Sequence, residues 1–108
     1  MRRNTLTSGS VRCIVFRDKD RWFAAGLEFN IVEEGSTALE AQLLLNEAIR
    51  GYVESAAKLK LRDSALNQVA DAEYELLWTR LQDEKQRESL SSRVAFFGRQ
   101  QLAALATS

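Results

Sequence analysis

Apolar residues recur along this chain in two kinds of pattern, one typical of strands and one typical of helices. Three runs in the first third, 11–16, 21–27 and 31–33, are rich in β-branched and aromatic residues and are separated by short polar stretches. Such runs favour β-strands, and the polar link at 18–20 predicts a hairpin between the first two. The first third of the chain therefore predicts a meander of three antiparallel strands.

Both faces of this predicted sheet carry large apolar side chains. Because side chains alternate along a strand, Ile14 and Phe16 lie on one face, and Val11, Cys13 and Val15 lie on the other. One face is expected to pack on the helix that follows the meander. The other face requires either the C-terminal part of the chain or a second copy, and this need predicts a homo-oligomer, either a dimer or a tetramer.

A glycine and a capping signal mark the passage from the third strand into a helix. Gly35 suits a tight exit from the strand with a positive φ. The Thr37 hydroxyl predicts an N-cap, and Glu40 is expected to reach back to the Thr37 amide, while Ser36 is the alternative cap. The helix is predicted over 38–57, with a sheet-facing stripe that Leu44 and Leu45 widen and that consists of Leu39, Leu43, Ala48, Ile49, Tyr52, Val53 and Ala56.

The second half of the chain predicts further helix and a short strand. The apolar spacing is helical from about 64 to 85, with Asp63 or Ser64 as the cap. The remaining segments are expected to be a helix continuation, link or short strand at 58–63, a loop or fraying end at 82–93, a strand at 93–97 that Gly98 ends, and a short helix at 100–106.

Together these elements predict one α+β domain. The 108 residues suffice for one hydrophobic core. We expect a flexible start over 1–10, a β-β-β-α unit over 11–57, and a helical C-terminal extension over 58–108 that packs on the same domain or on a second copy.

Charge and cysteine content limit the classes of partner and the compartment. Fifteen basic and fifteen acidic residues give a net charge of zero, so no overall field attracts nucleic acid or membrane. The charges are locally uneven, because residues 1–21 hold six basic and two acidic side chains and residues 28–47 hold five acidic and no basic ones. A single cysteine excludes an internal disulfide, and the chain shows neither a signal-peptide core nor an apolar run of about 18 residues, so we expect a cytoplasmic protein without membrane contact.

Few residues suggest catalysis or metal binding. Histidine is absent, which removes the commonest general base and metal ligand. Cys13 lies within a strand and is expected to be a small buried residue, and the acidic pairs at 18–20 and 33–34 are explained by turns and solvation. The expectation is therefore no enzyme, no catalytic residue, no metal and no cofactor.

Aromatic and basic residues are the better candidates for binding. Two aromatic pairs could bind a partner: Trp22 with Phe23 in the second strand, and Tyr74 with Trp78 at a spacing of four in the second helix, where core packing is the alternative. The candidate phosphate contacts lie in two groups, which are Arg17, Lys19 and Arg21, and Lys58, Lys60 and Arg62.

The order of three strands, a Gly-Ser-Thr-x-x-Glu-Ala motif and an amphipathic helix resembles the HicB-like antitoxin superfamily. The matching residues lie within 11–54 and comprise Val11 to Arg17, Trp22 to Leu27, Ile31, Val32, Gly35, Thr37, Glu40, Ala41, Leu45, Glu47, Ala48 and Ile49. The resemblance implies a partial ribonuclease H-type sheet packed on one helix, self-association, and the binding and silencing of a small RNA-cleaving toxin. Two features depart from it: the third strand lacks the usual proline-containing approach, and the region after 58 resembles no DNA-binding module.

The leading hypothesis is thus a non-enzymatic interaction protein that occludes a protein partner, such as a small toxin, through its sheet edge or the helix around Trp78. The alternatives are a nucleic-acid-binding module that uses the basic N-terminal third, and a regulatory module that senses a small ligand at an oligomer interface.

Overall fold

A four-stranded antiparallel sheet in the order β3-β2-β1-β4 forms the centre of the fold. The computed structural model describes residues 3–6 and 8–102. The strands are β1 (Ser10–Asp18), β2 (Arg21–Gly26), β3 (Ile31–Gly35) and β4 (Val94–Gln101), and the helices are α1 (Ala38–Lys58), α2 (Ala72–Leu81) and α3 (Glu84–Ser89), with short 3-10 turns at Leu27–Phe29 and Asp63–Leu66. The α+β class and the three-stranded meander predicted from the sequence are confirmed.

The β1–β2 hairpin closes with a turn of two residues. Asp18 pairs with Arg21, and Lys19 in the turn has a φ of 58°. This left-handed conformation matches the twist of the flanking strands, which is why two-residue turns of this type are common in hairpins.

The passage from β3 into α1 follows the predicted cap with two corrections. The Thr37 hydroxyl accepts a hydrogen bond from the Glu40 N–H at 3.0 Å, but the Glu40 carboxylate accepts from the Ser36 N–H, at 2.7 Å, rather than from the Thr37 amide. Gly35 does not adopt a positive φ. It is required for space, because a Cβ on Gly35 would lie 2.7 Å from the backbone nitrogen of Ala41.

One face of the sheet packs on α1, through a stripe that agrees with the predicted one at Leu45, Ile49, Val53 and Ala56 and differs from it at the start of the helix. The close approach of Ala41 to Gly35 turns that residue toward the sheet, and burial then recurs every four residues along α1. Leu39 and Leu43, which were predicted to face the sheet, are 64% and 57% exposed. The core on this side consists of Val11, Cys13, Val15, Ala24, Phe29, Ala41, Leu45, Ile49, Val53, Ala56, Leu66 and Leu102.

The other face of the sheet is covered by the C-terminal half of the same chain. Residues of α2 and its flanks pack on the side chains that β1 and β2 direct away from α1, in a core of Ile14, Phe16, Ala25, Leu27, Ala70, Leu77, Leu81 and Leu90. Of the two predicted alternatives for this face, cover by the same chain is the one observed. An uncovered sheet face is therefore no longer a reason to expect an oligomer.

The long helix predicted over 64–85 is broken into shorter elements. The chain is tethered at its middle, because the Gln68 N–H donates to the Glu28 carbonyl at 2.8 Å and the Asn67 side chain donates to the Asn4 carbonyl at 2.9 Å. These contacts oppose a continuous helix, so α2 begins only after Asp71, and neither Asp63 nor Ser64 caps it. Within the predicted loop at 82–93, the Asp83 carboxylate caps α3 instead.

Both ends of the chain differ from their predictions. Gly98 does not end the last strand but lies in the middle of β4, where it pairs with Cys13 of β1. Gln100 and Gln101 belong to that strand rather than to a terminal helix, and residues 103–106 lie outside the described part of the chain. Near the start, Asn4 is buried and its side chain donates to the Leu66 carbonyl at 2.8 Å, so this residue is anchored where fraying was predicted.

Within the part of the chain that the structure describes, no helix is both long enough and apolar enough to span a membrane.

Candidate functional site

The first predicted aromatic pair does not form one surface. Trp22 packs at the margin of the α1 core, whereas Phe23 packs at the margin of the α2 core, on the opposite face of the sheet. The Arg17 guanidinium lies 5.9 Å from the centroid of the Trp22 ring, in a cross-strand cation–π contact. Both rings are half-buried, and each packs mainly against the core on its own face of the sheet.

The predicted phosphate contacts lie at two ends of the molecule. Arg17, Lys19 and Arg21 surround the hairpin turn, close to the start of α1, because Gly35 pairs with Trp22. The group at 58–62 lies at the end of α1, a helix of 21 residues that spans roughly 30 Å. The structure therefore does not join the six residues into one basic surface, and the Arg21 guanidinium is paired with Glu34 at 2.6 Å.

The second aromatic pair lies on the sheet side of α2. The Tyr74 ring is 5.9 Å from that of Phe16, and burial, followed by the charges of Glu73 and Asp71, raises the pKa of Tyr74. The Trp78 ring meets Phe97 of β4 edge-on, with centroids 6.2 Å apart and an interplanar angle of 82°. Trp78 therefore lies next to the last strand of the sheet, which the sequence did not predict.

Two arginines contact Trp78 from neighbouring strands. Arg12 and Arg99 pair across β1 and β4, and their guanidinium carbons lie 5.8 Å and 5.4 Å from the Trp78 ring centroid. Arg12 is also ion-paired with Glu28 at 2.6 Å and with Glu75. Burial lowers the pKa of Arg12, but the hydrogen bonds and charges of the two glutamates outweigh it, so the net pKa is raised.

Glu28 has a second role beside β2. Its carboxylate accepts a hydrogen bond from the Arg12 N–H at 2.8 Å, at a point where β2 has already ended. The side chain thus takes the place of a strand partner for β1. This bond and the ion pair both hold Arg12 in place, and the Arg12 guanidinium in turn contacts the Trp78 ring.

The outer edge of β4 carries unpaired backbone groups. Backbone bonding alternates along an antiparallel ladder, and the Leu102 N–H donates to the Gly9 carbonyl at 3.1 Å. It follows that Gly98 and Gln100 bond to β1, whereas Phe97, Arg99 and Gln101 direct their N–H and C=O groups outward. No further strand pairs with β4 within the described residues, so these groups form an exposed edge.

A cavity of about 320 Å³ lies against this edge beneath α3. Its apolar lining comes mainly from Leu81, Leu90, Val94 and Phe97, and Ala95 lies at its mouth, where the register of β4 shifts in a bulge. The Arg87 guanidinium lies 5.4 Å from the Phe97 ring centroid. We call this cavity the notch, and we call the notch, the outer edge of β4 (94–101) and Trp78 together the β4 surface.

This surface could not be predicted from the sequence, because its parts come from α2, α3 and β4. One signal was present in the sequence: the run Val-Ala-Phe-Phe-Gly-Arg-Gln-Gln contains a single charged residue, Arg99. A strand with so little charge is suited to pairing at an edge, but only the fold places it there.

The remaining reactive groups offer little chemistry. Burial, reinforced by the charge of Glu28, raises the pKa of Cys13 to about 12, so the thiol stays protonated at neutral pH and is a poor nucleophile. In the described residues, no group of three or more cysteine or acidic side chains is placed to hold a metal ion.

The chain was compared with protein-family models, with curated proteins and with solved structures, and no match was found in any of the three comparisons.

Proposed function

We propose that this protein is a non-enzymatic interaction protein that binds a small protein partner at the β4 surface and occludes it. The resemblance of residues 11–54 to HicB-like antitoxins suggests the class of partner, which is a small RNA-cleaving toxin. The observation that carries the proposal is the free edge of β4, an eight-residue strand with one charged side chain.

The edge favours a partner that contributes an extended segment. Outward N–H and C=O groups on Phe97, Arg99 and Gln101 supply main-chain hydrogen bonds to an added strand. Such bonds give affinity without demanding a particular sequence, and pockets beside the edge then select side chains. The β4 surface supplies such a pocket in the notch.

The notch defines the anchor that a partner must bring. Its lining by Leu81, Leu90, Val94 and Phe97 favours one apolar side chain, and its volume of about 320 Å³ exceeds that of any single residue's side chain. A partner segment that pairs with β4 near Ala95 would place a side chain in this space. Burial of one large apolar side chain contributes roughly 1.5–3 kcal/mol, enough to set the register of the segment.

The mechanism is steric and involves no covalent step. A partner segment held along β4 is no longer available to the partner's own substrate, and the body of this domain covers the adjoining surface. Silencing would then follow from occupancy, so it would vary with the concentration of the two proteins and not with any turnover.

Co-purification with the protein encoded by the adjacent reading frame tests the proposal, because antitoxin and toxin genes of this type are expected side by side. We expect a small basic protein that cleaves RNA by itself and is silenced in a complex with the wild-type chain. Ala95→Trp, which fills the mouth of the notch, is expected to weaken the complex at least tenfold in titration calorimetry. Ala57→Trp, at an exposed position on α1, is the matched control and is expected to bind normally.

Two results would overturn the proposal. If the neighbouring protein neither binds nor cleaves RNA, the assignment of the partner class is wrong. If it binds Ala95→Trp and the wild type with equal affinity, the β4 surface is not the binding site.

A further inference from the structure

We infer that the β4 edge also pairs with the β4 edge of a second copy, which gives an eight-stranded sheet across a two-fold axis near Gly98. The part of this inference that concerns competition rests on the proposed function, because both occupants would use the same edge. The self-pairing itself does not depend on that function, because it follows from the outward backbone groups of β4 and from the charges beside them.

Only a few registers allow the edge to pair with itself. In an antiparallel ladder the outward groups of one strand must face the outward groups of the other, so Phe97, Arg99 and Gln101 must pair among themselves. The two-fold axis can therefore lie at any residue from Phe97 to Gln101. An axis at Gln100 or Gln101 leaves Phe97 without an opposite residue, because β4 ends at Gln101. The remaining choices are an axis at Phe97, Gly98 or Arg99. Each choice brings a different pair of side chains together.

The charge of Arg99 decides among these registers. An axis at Arg99 sets two arginines directly opposite each other, which destabilises a strand pair. An axis at Phe97 sets Arg99 against the bulge at Ala95, where the strand is irregular. An axis at Gly98 sets Arg99 of each copy opposite Phe97 of the other, on the face that α2 covers.

The Gly98 register is also favourable for its side chains. Arg99 and Phe97 both lie on the α2 face, so their opposition repeats the arginine–aromatic contacts already present there between Arg87 and Phe97 and between Arg99 and Trp78. At the axis itself, the two Gly98 residues form a non-hydrogen-bonded pair, the closer kind of pair in an antiparallel ladder, and bring no side chains into contact. On the α1 face, the half-exposed ring of Phe96 comes to lie opposite Gln100 of the second copy.

The opposite edge of the sheet does not offer this fit. β3 is five residues long and carries Glu33 and Glu34, so self-pairing there would bring glutamates of the two copies together on both faces of the sheet. The two-fold dimer is thus expected at β4. A single strand pair buries less than the roughly 1,200–2,000 Å² of a stable interface, so we expect a reversible dimer with a micromolar dissociation constant.

A weak dimer has a consequence for partner binding. The second copy covers the unpaired groups of β4 when no partner is present, which protects the edge from aggregation. A partner segment with an apolar anchor for the notch would then displace it. Dimer and partner complex are accordingly expected to be mutually exclusive.

Sedimentation velocity over a micromolar concentration series tests the self-pairing. We expect the wild type to pass from monomer to dimer. Arg99→Pro removes an outward N–H for which residues 3–6 and 8–102 show no acceptor, so it should remain monomeric with an unchanged circular dichroism spectrum. Arg99→Gln keeps this N–H, so it should still dimerise. Val32→Pro removes the corresponding outward N–H of β3, the edge that does not pair, so it should also still dimerise.

Amide hydrogen exchange provides a second measurement that does not depend on substitutions. The outward amides of Phe97 and Arg99 should exchange at least tenfold more slowly at high protein concentration than at low concentration. The inward amides of Gly98 and Gln100 should show no such dependence, because β1 already protects them.

A chain that is monomeric throughout the series would overturn the inference, as would a dimer that Val32→Pro dissociates and Arg99→Pro does not. These outcomes are separable from failure of the proposed function. If the chain binds its partner but does not dimerise, only the self-pairing is contradicted. If the chain dimerises but does not bind the protein encoded by the neighbouring reading frame, only the proposed function is contradicted.

Discussion

The two edges of the sheet end in strands of different length and charge. β3 has five residues, two of them glutamates, while β4 has eight residues and one arginine. All five residues of β3 pair with β2, but backbone hydrogen bonding alternates, so only Val32 and Glu34 direct their N–H and C=O groups outward. The β3 edge is thus short and acidic, and the β4 edge is longer and mostly apolar.

The helices beside the two edges differ in the same sense. At β3, α1 packs so closely that its Ala41 nitrogen leaves no room for a side chain on Gly35. At β4, α3 is six residues long, has no buried residue and leaves the notch open. Charge, short length and tight cover are the usual ways to prevent an edge from pairing, and this protein applies them at one edge only. The contrast supports the proposal that the open edge binds a partner strand.

The largest effect on stability is expected from adding a methyl group to a glycine at each edge. Gly35→Ala places a Cβ 2.7 Å from the Ala41 backbone nitrogen, and backbone cannot yield easily, so we expect a loss of about 3 kcal/mol. Gly98→Ala places a Cβ 3.1 Å from the tip of the Phe96 ring, an exposed side chain that can rotate away. We expect a change within about 1 kcal/mol there, measured by urea unfolding. Equal losses would show that the two edges are packed alike.

The ion pairs behind the two edges provide the next comparison. Both join an arginine to a glutamate at 2.6 Å, but the Arg12 and Glu28 side chains are 20% and 16% exposed, against 46% and 50% for Arg21 and Glu34. Arg12→Met leaves Glu28 largely buried without its cation, so we expect a loss of about 2 kcal/mol. Arg21→Met should change stability by no more than about 0.5 kcal/mol, since exposed pairs contribute little.

High salt provides the control for this pair of variants. It should weaken the stabilisation by the exposed Arg21–Glu34 pair. The loss of unfolding free energy in Arg12→Met should stay nearly unchanged, because buried ion pairs are screened less by salt. A loss in Arg12→Met below that of Arg21→Met would contradict the role of Arg12 in supporting Trp78.

A smaller effect is expected from the helix caps near each edge. Thr37→Ala removes the hydroxyl that accepts the Glu40 N–H and should lower the free energy of unfolding by about 1 kcal/mol. Asp83→Ala removes the cap of α3, because the Asp83 carboxylate accepts hydrogen bonds from the backbone N–H groups of Lys85 and Gln86. Because α3 buries no side chain, we expect a loss of at most about 0.5 kcal/mol, with faster amide exchange confined to 84–89. A global loss in Asp83→Ala would mean that α3 is part of the cooperative core.

The last comparison is a dependence of stability on pH, and it concerns Cys13, which pairs with Gly98 of β4. Its folded pKa of about 12 exceeds the unfolded value of about 8.5, so the unfolded chain releases the proton first as pH rises. The stability that this thiol contributes is therefore complete below about pH 8 and declines above it. Urea unfolding of the wild type and Cys13→Ala should show a difference that narrows between pH 8 and pH 10, and a constant difference would contradict the raised pKa.

The local parts of the fold could be predicted because local chemistry determines them. The β-branched and aromatic residues of 11–33 place apolar side chains on both faces of a strand. The Thr37 hydroxyl can cap a helix because it accepts from an amide only a few residues further on. The candidate site was less predictable. Tyr74 and Trp78 were singled out correctly as neighbours on one helix, but which strand they meet depends on contacts between residues far apart in the chain.

The amino-acid sequence thus determined the meander, the cap of α1 and the need of both sheet faces for cover, since each follows from residues a few positions apart. Tertiary structure decided the rest. It turned Ala41 rather than Leu39 toward the sheet, broke the second helix at residues tethered to Glu28 and Asn4, and placed β4 beside β1. These outcomes depend on long-range packing and hydrogen bonds, and no local pattern encodes which edge of a sheet is left open.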